Sequence, residues 1–146
     1  MLTIAAFFNY EILQMDDKKA FLNGFLKEEL YMMQPEGFVD PENADKVCKL
    51  QRSIYGLVQA SRSWNLRFEE VIKAFGFIQV LRQSCIYKKV NGSSIVFLIL
   101  YVDDILLIGN NIELLENVKE YLNKSFSMKG LGEPAFISGI KIYRDR

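Results

Sequence analysis

Residues 95–102 are eight consecutive hydrophobic side chains, set between Asn91-Gly92 and Asp103-Asp104. A membrane-spanning helix needs about 20 apolar residues, so this run is too short to be one. It has the length of a central strand buried on both faces. Asn-Gly is the strongest short hairpin signal, because both positions tolerate positive φ. Residues 85–90 and 94–101 are therefore expected to pair. A third strand, residues 105–108, follows after only Val102-Asp103-Asp104, a spacing that implies a second tight hairpin. Two successive hairpins require an antiparallel sheet.

The flanking sequence supplies helices. In residues 61–75, Trp64, Phe68, Val71, Ile72 and Phe75 make one apolar face, with Arg62, Arg67, Glu69 and Lys73 opposite. Ser61 or Ser63 suits the start and Gly76 the end. A second helix is expected over residues 112–126, through Ile112, Leu115, Val118, Leu122 and Phe126. An Asn110/Glu113 capping box opens it, and Gly130 and Gly132 end it. Residues 2–8 read as the end of a helix stopped by Asn9. Residues 10–15 read as a strand, with Ile12 and Tyr10 interleaved with Glu11 and Gln14. Residues 20–24 form a short helical turn stopped by Gly24. Residues 30–33 are a short strand broken by Pro35-Glu36-Gly37, and residues 135–143 a final strand. The expectation is an α+β fold, an antiparallel sheet with helices packed on one side. No repeat or linker interrupts it, so residues 1–146 read as a single domain.

Several function classes drop out. The chain has no histidine, which excludes a histidine zinc ligand, a histidine general base and a Ser-His-Asp triad. Cys48 and Cys85 stand far apart with no CxxC; a reduced pair is preferred over a disulfide. Residues 2–8 lack a basic flank and a cleavage site, so neither a secretory signal nor a membrane segment is expected. The net charge of zero hides a segregation. Residues 1–45 carry −6, residues 46–89 +7, residues 90–118 −4 and residues 119–146 +3. The +7 block could present one face to a polyanion or form a solvated surface.

Asp103 and Asp104 lie in a turn between apolar strands, where aspartates commonly serve local hydrogen bonds. Two adjacent carboxylates at the tip of a buried hairpin also repel each other unless a cation or water offsets them. Asp16 ends another expected strand, with Asp17 beside it. If the two strands are neighbours, Asp16 and Asp103 converge. Carboxylates without histidine or thiolate suit Mg²⁺ or Mn²⁺ rather than Zn²⁺. The usual chemistry of such a site is two-metal phosphoryl transfer, which needs no protein base. A glycosidase also uses two carboxylates, but it fits the basic block poorly. An RNA-binding α+β module would need surface aromatic and basic residues that residues 95–100 lack.

Longer strings carry a resemblance. Tyr101-Val102-Asp103-Asp104 resembles the YxDD box of reverse transcriptases. Gln14-Met15-Asp16 with Ala20-Phe21-Leu22-Asn23-Gly24 resembles the first catalytic block of copia-type LTR-retrotransposon polymerases. Tyr31-Met32-Met33-Gln34-Pro35-Glu36-Gly37-Phe38, Ser53-Ile54-Tyr55-Gly56-Leu57, Trp64-Asn65-Leu66-Arg67-Phe68 and Ile140-Lys141-Ile142-Tyr143-Arg144-Asp145-Arg146 are similar to later blocks, in order and spacing.

The resemblance implies a polymerase palm with part of the fingers, lacking the N-terminal fingers and the thumb. It implies an RNA-directed DNA polymerase acting on a template–primer duplex and deoxynucleoside triphosphates with two Mg²⁺ or Mn²⁺ ions. Asp16 and Asp103 would bind both ions, with Asp104 in support. Phe21 would be the aromatic gate against a ribose 2′-OH. Gly56 and Gln59 would lie along the nucleotide and template, Tyr101 and Val102 near the primer end, and Lys129 by the leaving pyrophosphate. Other Pol segments, RNase H and integrase, would be partners in a parent polyprotein within cytoplasmic virus-like particles. The alternative is a catalytically inert remnant that binds nucleic acid weakly. Asp17 and Lys19 stand where the family has valine and threonine. Val58 replaces a lysine, Asn111 and Gly130 aspartates, and Ser138 a leucine.

Overall fold

The computed structural model describes residues 1–132, 136–137 and 140–142. In chain order its elements are α1 (Leu2–Phe7), β1 (Glu11–Asp16), a 3-10 turn (Ala20–Asn23), β2 (Tyr31–Met32), a second 3-10 turn (Pro41–Asn43) and β3 (Cys48–Lys49). There follow α2 (Ala60–Ala74), β4 (Ile78–Gln79), β5 (Ile86–Asn91), β6 (Ser94–Tyr101), β7 (Asp104–Gly109), α3 (Ile112–Ser125), β8 (Lys129–Gly132), β9 (Phe136–Ile137) and β10 (Ile140–Lys141). The described chain divides into two compact units. One comprises Met1–Lys19 with Val71–Arg146, the other Ala20–Glu70. Helix α2 begins in the second unit and ends in the first. No helix among the described residues is long and apolar enough to cross a membrane.

The first unit is built on a six-stranded sheet in the order β4-β5-β6-β7-β1-β8, with every pairing antiparallel. The expected central strand is β6, buried on alternate residues and half-buried between them. Both expected hairpins form, with loops displaced from the sequence reading. Asn91 pairs with Ser94, so the first loop is Gly92-Ser93, and positive φ is needed only at Gly92. Tyr101 pairs with Asp104, so the second loop is Val102-Asp103 and Asp104 already belongs to β7.

Strand alternation sorts the two faces. Val96, Leu98, Leu100, Ile105 and Leu107 point to one face and are buried. Helix α3 packs against β6, β7 and β1 there, through Leu115, Val118 and Leu122. The end of α2 joins it: Phe75 stacks on Tyr121 at 4.1 Å, and the Tyr121 hydroxyl donates to the Val71 carbonyl. On the opposite face Ala5 of α1 clusters with Ile12, Leu106 and Ile108. The expectation of helices on one side therefore holds for α3, joined by the end of α2, and fails for α1. The buried Ala5 gives α1 a seat on the other face.

Helix α3 is capped by Asn111, whose Oδ1 accepts the Leu114 N–H at 3.0 Å, not by Asn110. The Asn110 side chain instead accepts from the Ile95 N–H and donates to the Ser93 carbonyl. Ile112, expected on the core face, is exposed. Gly130 and Gly132 lie in a strand, β8, beyond the end of α3. The expected closing strand is divided: β9 and β10 pair with each other, and Ala135, Ser138 and Tyr143 fall outside the described residues. In the second unit β2 pairs with β3, a partner the sequence did not announce. Gly24 meets α2 there so closely that a Cβ would lie 2.8 Å from the Ser63 Cβ.

Candidate active site

Along β1, Ile12, Gln14 and Asp16 share one face by the period of two. The series runs from the apolar cluster under α1 to a carboxylate at the strand's end. Asp16 lies directly opposite Asp104 on β7 and, on its other side, opposite Lys129 on β8. Like charges directly opposed across an antiparallel pair are destabilising. Asp103 is carried on the two-residue loop, whose backbone is tied to β1 by the Asp17 N–H donating to the Asp103 carbonyl at 3.1 Å. Val102, in the same loop, has φ +58. A β-branched residue in the left-handed region costs on the order of 1–2 kcal/mol. Tyr101 and Val102 are both more than half exposed.

The electrostatics of the site follow from this register. The Asp16 carboxyl is pushed above the usual carboxylate range, first by burial, then by the charges of Asp103 and Asp104; Lys18 and Lys129 pull against the rise. Asp17 is fully buried, and burial raises its carboxyl as well. Its Oδ1 accepts the Lys19 N–H at 2.9 Å, which offsets part of that cost. The carboxylate that stands where the family has valine is thus buried just beyond β1. Gln14, also buried, donates from Nε2 to Asp104 Oδ1 at 3.1 Å. Sequence reasoning did not assign Gln14 a place in the site; the available signal was its two-residue spacing from Asp16.

The donor set is carboxylate oxygen throughout, which suits a hard divalent cation. The mutual repulsion that raises the Asp16 carboxyl is what such a cation would relieve. Among the described residues, however, no three acidic or thiol side chains are gathered into a ready metal-holding group.

Of the remaining residues singled out in the sequence, Lys129 is exposed on β8 beside Asp16. Phe21, Gly56 and Gln59 belong to the Ala20–Glu70 unit. Phe21 is half-buried and its ring lies 4.9 Å from that of Tyr55. Gly56 has φ +93 with nothing near the place of a Cβ, so its conformation alone demands glycine. Val58, at the expected lysine position, is 97% exposed. In the same unit Arg52 and Arg67 both lie over the Phe25 ring, at 4.2 and 5.3 Å.

A family model described as reverse transcriptase (RNA-dependent DNA polymerase) matches residues 1–146. The chain belongs to the reverse transcriptase family. It is 42% identical over 147 residues to the retrovirus-related Pol polyprotein from transposon TNT 1-94 of Nicotiana tabacum, a match covering all of this chain and 11% of that protein. It is 37% identical over 144 residues to the Pol polyprotein from transposon RE1 of Arabidopsis thaliana, covering 99% of the chain and 10% of the relative. A putative transposon Ty5-1 protein of Saccharomyces cerevisiae is 34% identical over 130 residues, 89% of this chain and 42% of that protein. The chain spans about a tenth of the length of the two plant relatives. Within the family it is a reverse transcriptase segment of the copia type. No solved structure matches it.

Proposed function

We propose that this reverse transcriptase chain carries the catalytic carboxylates of an RNA-directed DNA polymerase, transferring nucleotides from deoxynucleoside triphosphates to a primer end. The observation that carries the reading is the row Asp104, Asp16, Lys129 across three neighbouring strands, with Asp103 on the adjoining loop. Asp16 and Asp103 would hold two divalent ions, Mg²⁺ or Mn²⁺, with Asp104 in support. When bound, such ions activate the attacking primer oxygen and neutralise charge on the leaving pyrophosphate. The chain's own part is to fix these carboxylates at a sheet end, with Lys18 and Lys129 pulling against the rise in the Asp16 carboxyl. Lys129, exposed beside Asp16, would offer its three N–H donors to the pyrophosphate's oxygens. Tyr101 and Val102 would contact the primer end, and Phe21, Gly56 and Gln59 the nucleotide and template. The six-stranded sheet would be the palm of a single domain, with part of the fingers. Template–primer and the other Pol segments would be its partners.

A second reading, a catalytically inert remnant, is supported by the ungathered carboxylates, the buried Asp17 charge and the exposed Val58. Single-nucleotide incorporation into a primer–template with Mg²⁺ at low salt separates the two. Activity that is lost in Asp103→Asn and reduced less in Asp104→Asn supports the polymerase. Unchanged activity in Asp103→Asn refutes the assignment, and a folded chain with no incorporation leaves the remnant.

A further inference from the structure

We infer that Gln14 is a positioning residue of the carboxylate site, acting through Asp104. The role rests on the reading of Asp16, Asp103 and Asp104 as an ion-holding set. Gln14 is 7% exposed. A carboxamide buried to that degree is rarely left without hydrogen bonds. Its Nε2 reaches Asp104 Oδ1 at 3.1 Å, diagonally across the β1–β7 pairing, while its direct partner on β7 is the apolar Leu106. An ionised carboxylate only accepts, so the amide's nitrogen end must face it. The chemistry of the donor matters. A lysine or arginine here would cancel the negative charge that attracts a cation. A neutral amide fixes one oxygen of Asp104 and leaves that charge in place. The two adjacent aspartates become unequal: Asp104 is tethered to the sheet beside Asp16, and Asp103 rides on the Val102-Asp103 loop.

Hydrogen-bond partners of ligating carboxylates commonly contribute about 10–100-fold to metal affinity. Gln14→Met keeps length and removes the donor. In the full chain, with Mn²⁺ as probe followed by the free-ion electron paramagnetic resonance signal, Gln14→Met should weaken binding about tenfold. In an Asp104→Ala background the same change should move affinity less than about twofold, because residues acting through one another are not additive. A parallel measurement leaves Gln14 intact: its side-chain amide resonances should shift in Asp104→Ala. Equal effects in both backgrounds, or a lowered melting temperature with unchanged Mn²⁺ affinity, would reduce Gln14 to a core residue and overturn the proposal. Asp16→Asn separates the two levels of failure. If it abolishes Mn²⁺ binding while Gln14→Met does not weaken it, only the Gln14 role falls. If it leaves Mn²⁺ affinity unchanged, the ion-holding reading falls and the Gln14 role with it.

Discussion

Gly109, the last residue of β7, offers a sharp test of the sheet that carries the carboxylates. A Cβ there would lie 2.6 Å from the Ile95 carbonyl oxygen, 3.2 Å from Val96 Cγ2 and 3.4 Å from Leu115 Cδ2. Contacts under 3.0 Å are essentially never seen for a real Cβ. The first obstacle is backbone of the neighbouring strand, which cannot rotate aside, so in Gly109→Ala β6 and β7 must part. Overpacking of this kind costs about 1–3 kcal/mol. Against it, alanine restricts the unfolded chain and returns about 0.4–1 kcal/mol. The net loss should be about 1–2 kcal/mol, a fall in melting temperature of roughly 2–8 °C for a domain of this size. Urea unfolding followed by far-ultraviolet circular dichroism, which reads the six-stranded sheet itself, measures it. Gly92→Ala is the contrast: φ is +60 and the space is open, so any cost there is conformational. Gly92→Asn should recover part of that cost, because asparagine tolerates the left-handed region. Gly109→Ala within about 0.5 kcal/mol of the parent would refute the packing argument.

Asn111→Ala should cost about 1 kcal/mol through the lost cap of α3, with Asn111→Asp close to neutral, again by urea unfolding. Asp17→Asn keeps an acceptor for the Lys19 N–H and removes the buried charge. The Asp17 carboxyl is raised in the folded state, so its ionisation opposes folding above its unfolded value near 3.8. Asp17→Asn should therefore stabilise the chain at neutral pH, and the gain should shrink as pH falls through the raised value toward the unfolded one. A gain that instead grew on acidification would contradict the burial argument. Carboxyl NMR titration should show Asp103→Asn lowering the Asp16 carboxyl further than Asp104→Asn does, since Asp103 is the stronger of the two charges acting on it.

The parts of the fold that sequence made legible are those set by local pattern. Strand β6, its two hairpins and the apolar faces of α2 and α3 follow from periodicity and turn chemistry. What depends on tertiary partners was not legible. Asn110 and Asn111 are chemically identical, and only the packing of the Ser93–Ile95 backbone against Asn110 leaves Asn111 to cap α3. Lys129-Gly130-Leu131-Gly132 has the composition of a helix stop, yet it becomes β8 because β1 offers a free edge. The second hairpin loop is one residue shorter than its spacing suggested, which moves Asp104 from turn to strand and sets it opposite Asp16. The sequence pointed to Asp16 and the aspartates of the second hairpin as neighbours, and the register sets Asp16 opposite Asp104 without gathering three carboxylates into a metal-holding group among the described residues. The strand period placed Gln14 on the face of Asp16, but no pattern in sequence could say that its amide reaches a residue ninety positions away.

The central claim is that Asp16 and Asp103 are ligands of one divalent-ion site. A crystal structure grown with Mn²⁺, read by anomalous scattering at the manganese edge, tests it most directly. The account predicts an anomalous peak in coordination contact with carboxylate oxygens of both Asp16 and Asp103, absent in Asp103→Asn crystals. A peak elsewhere, or one at this turn that survives Asp103→Asn unchanged, would contradict it.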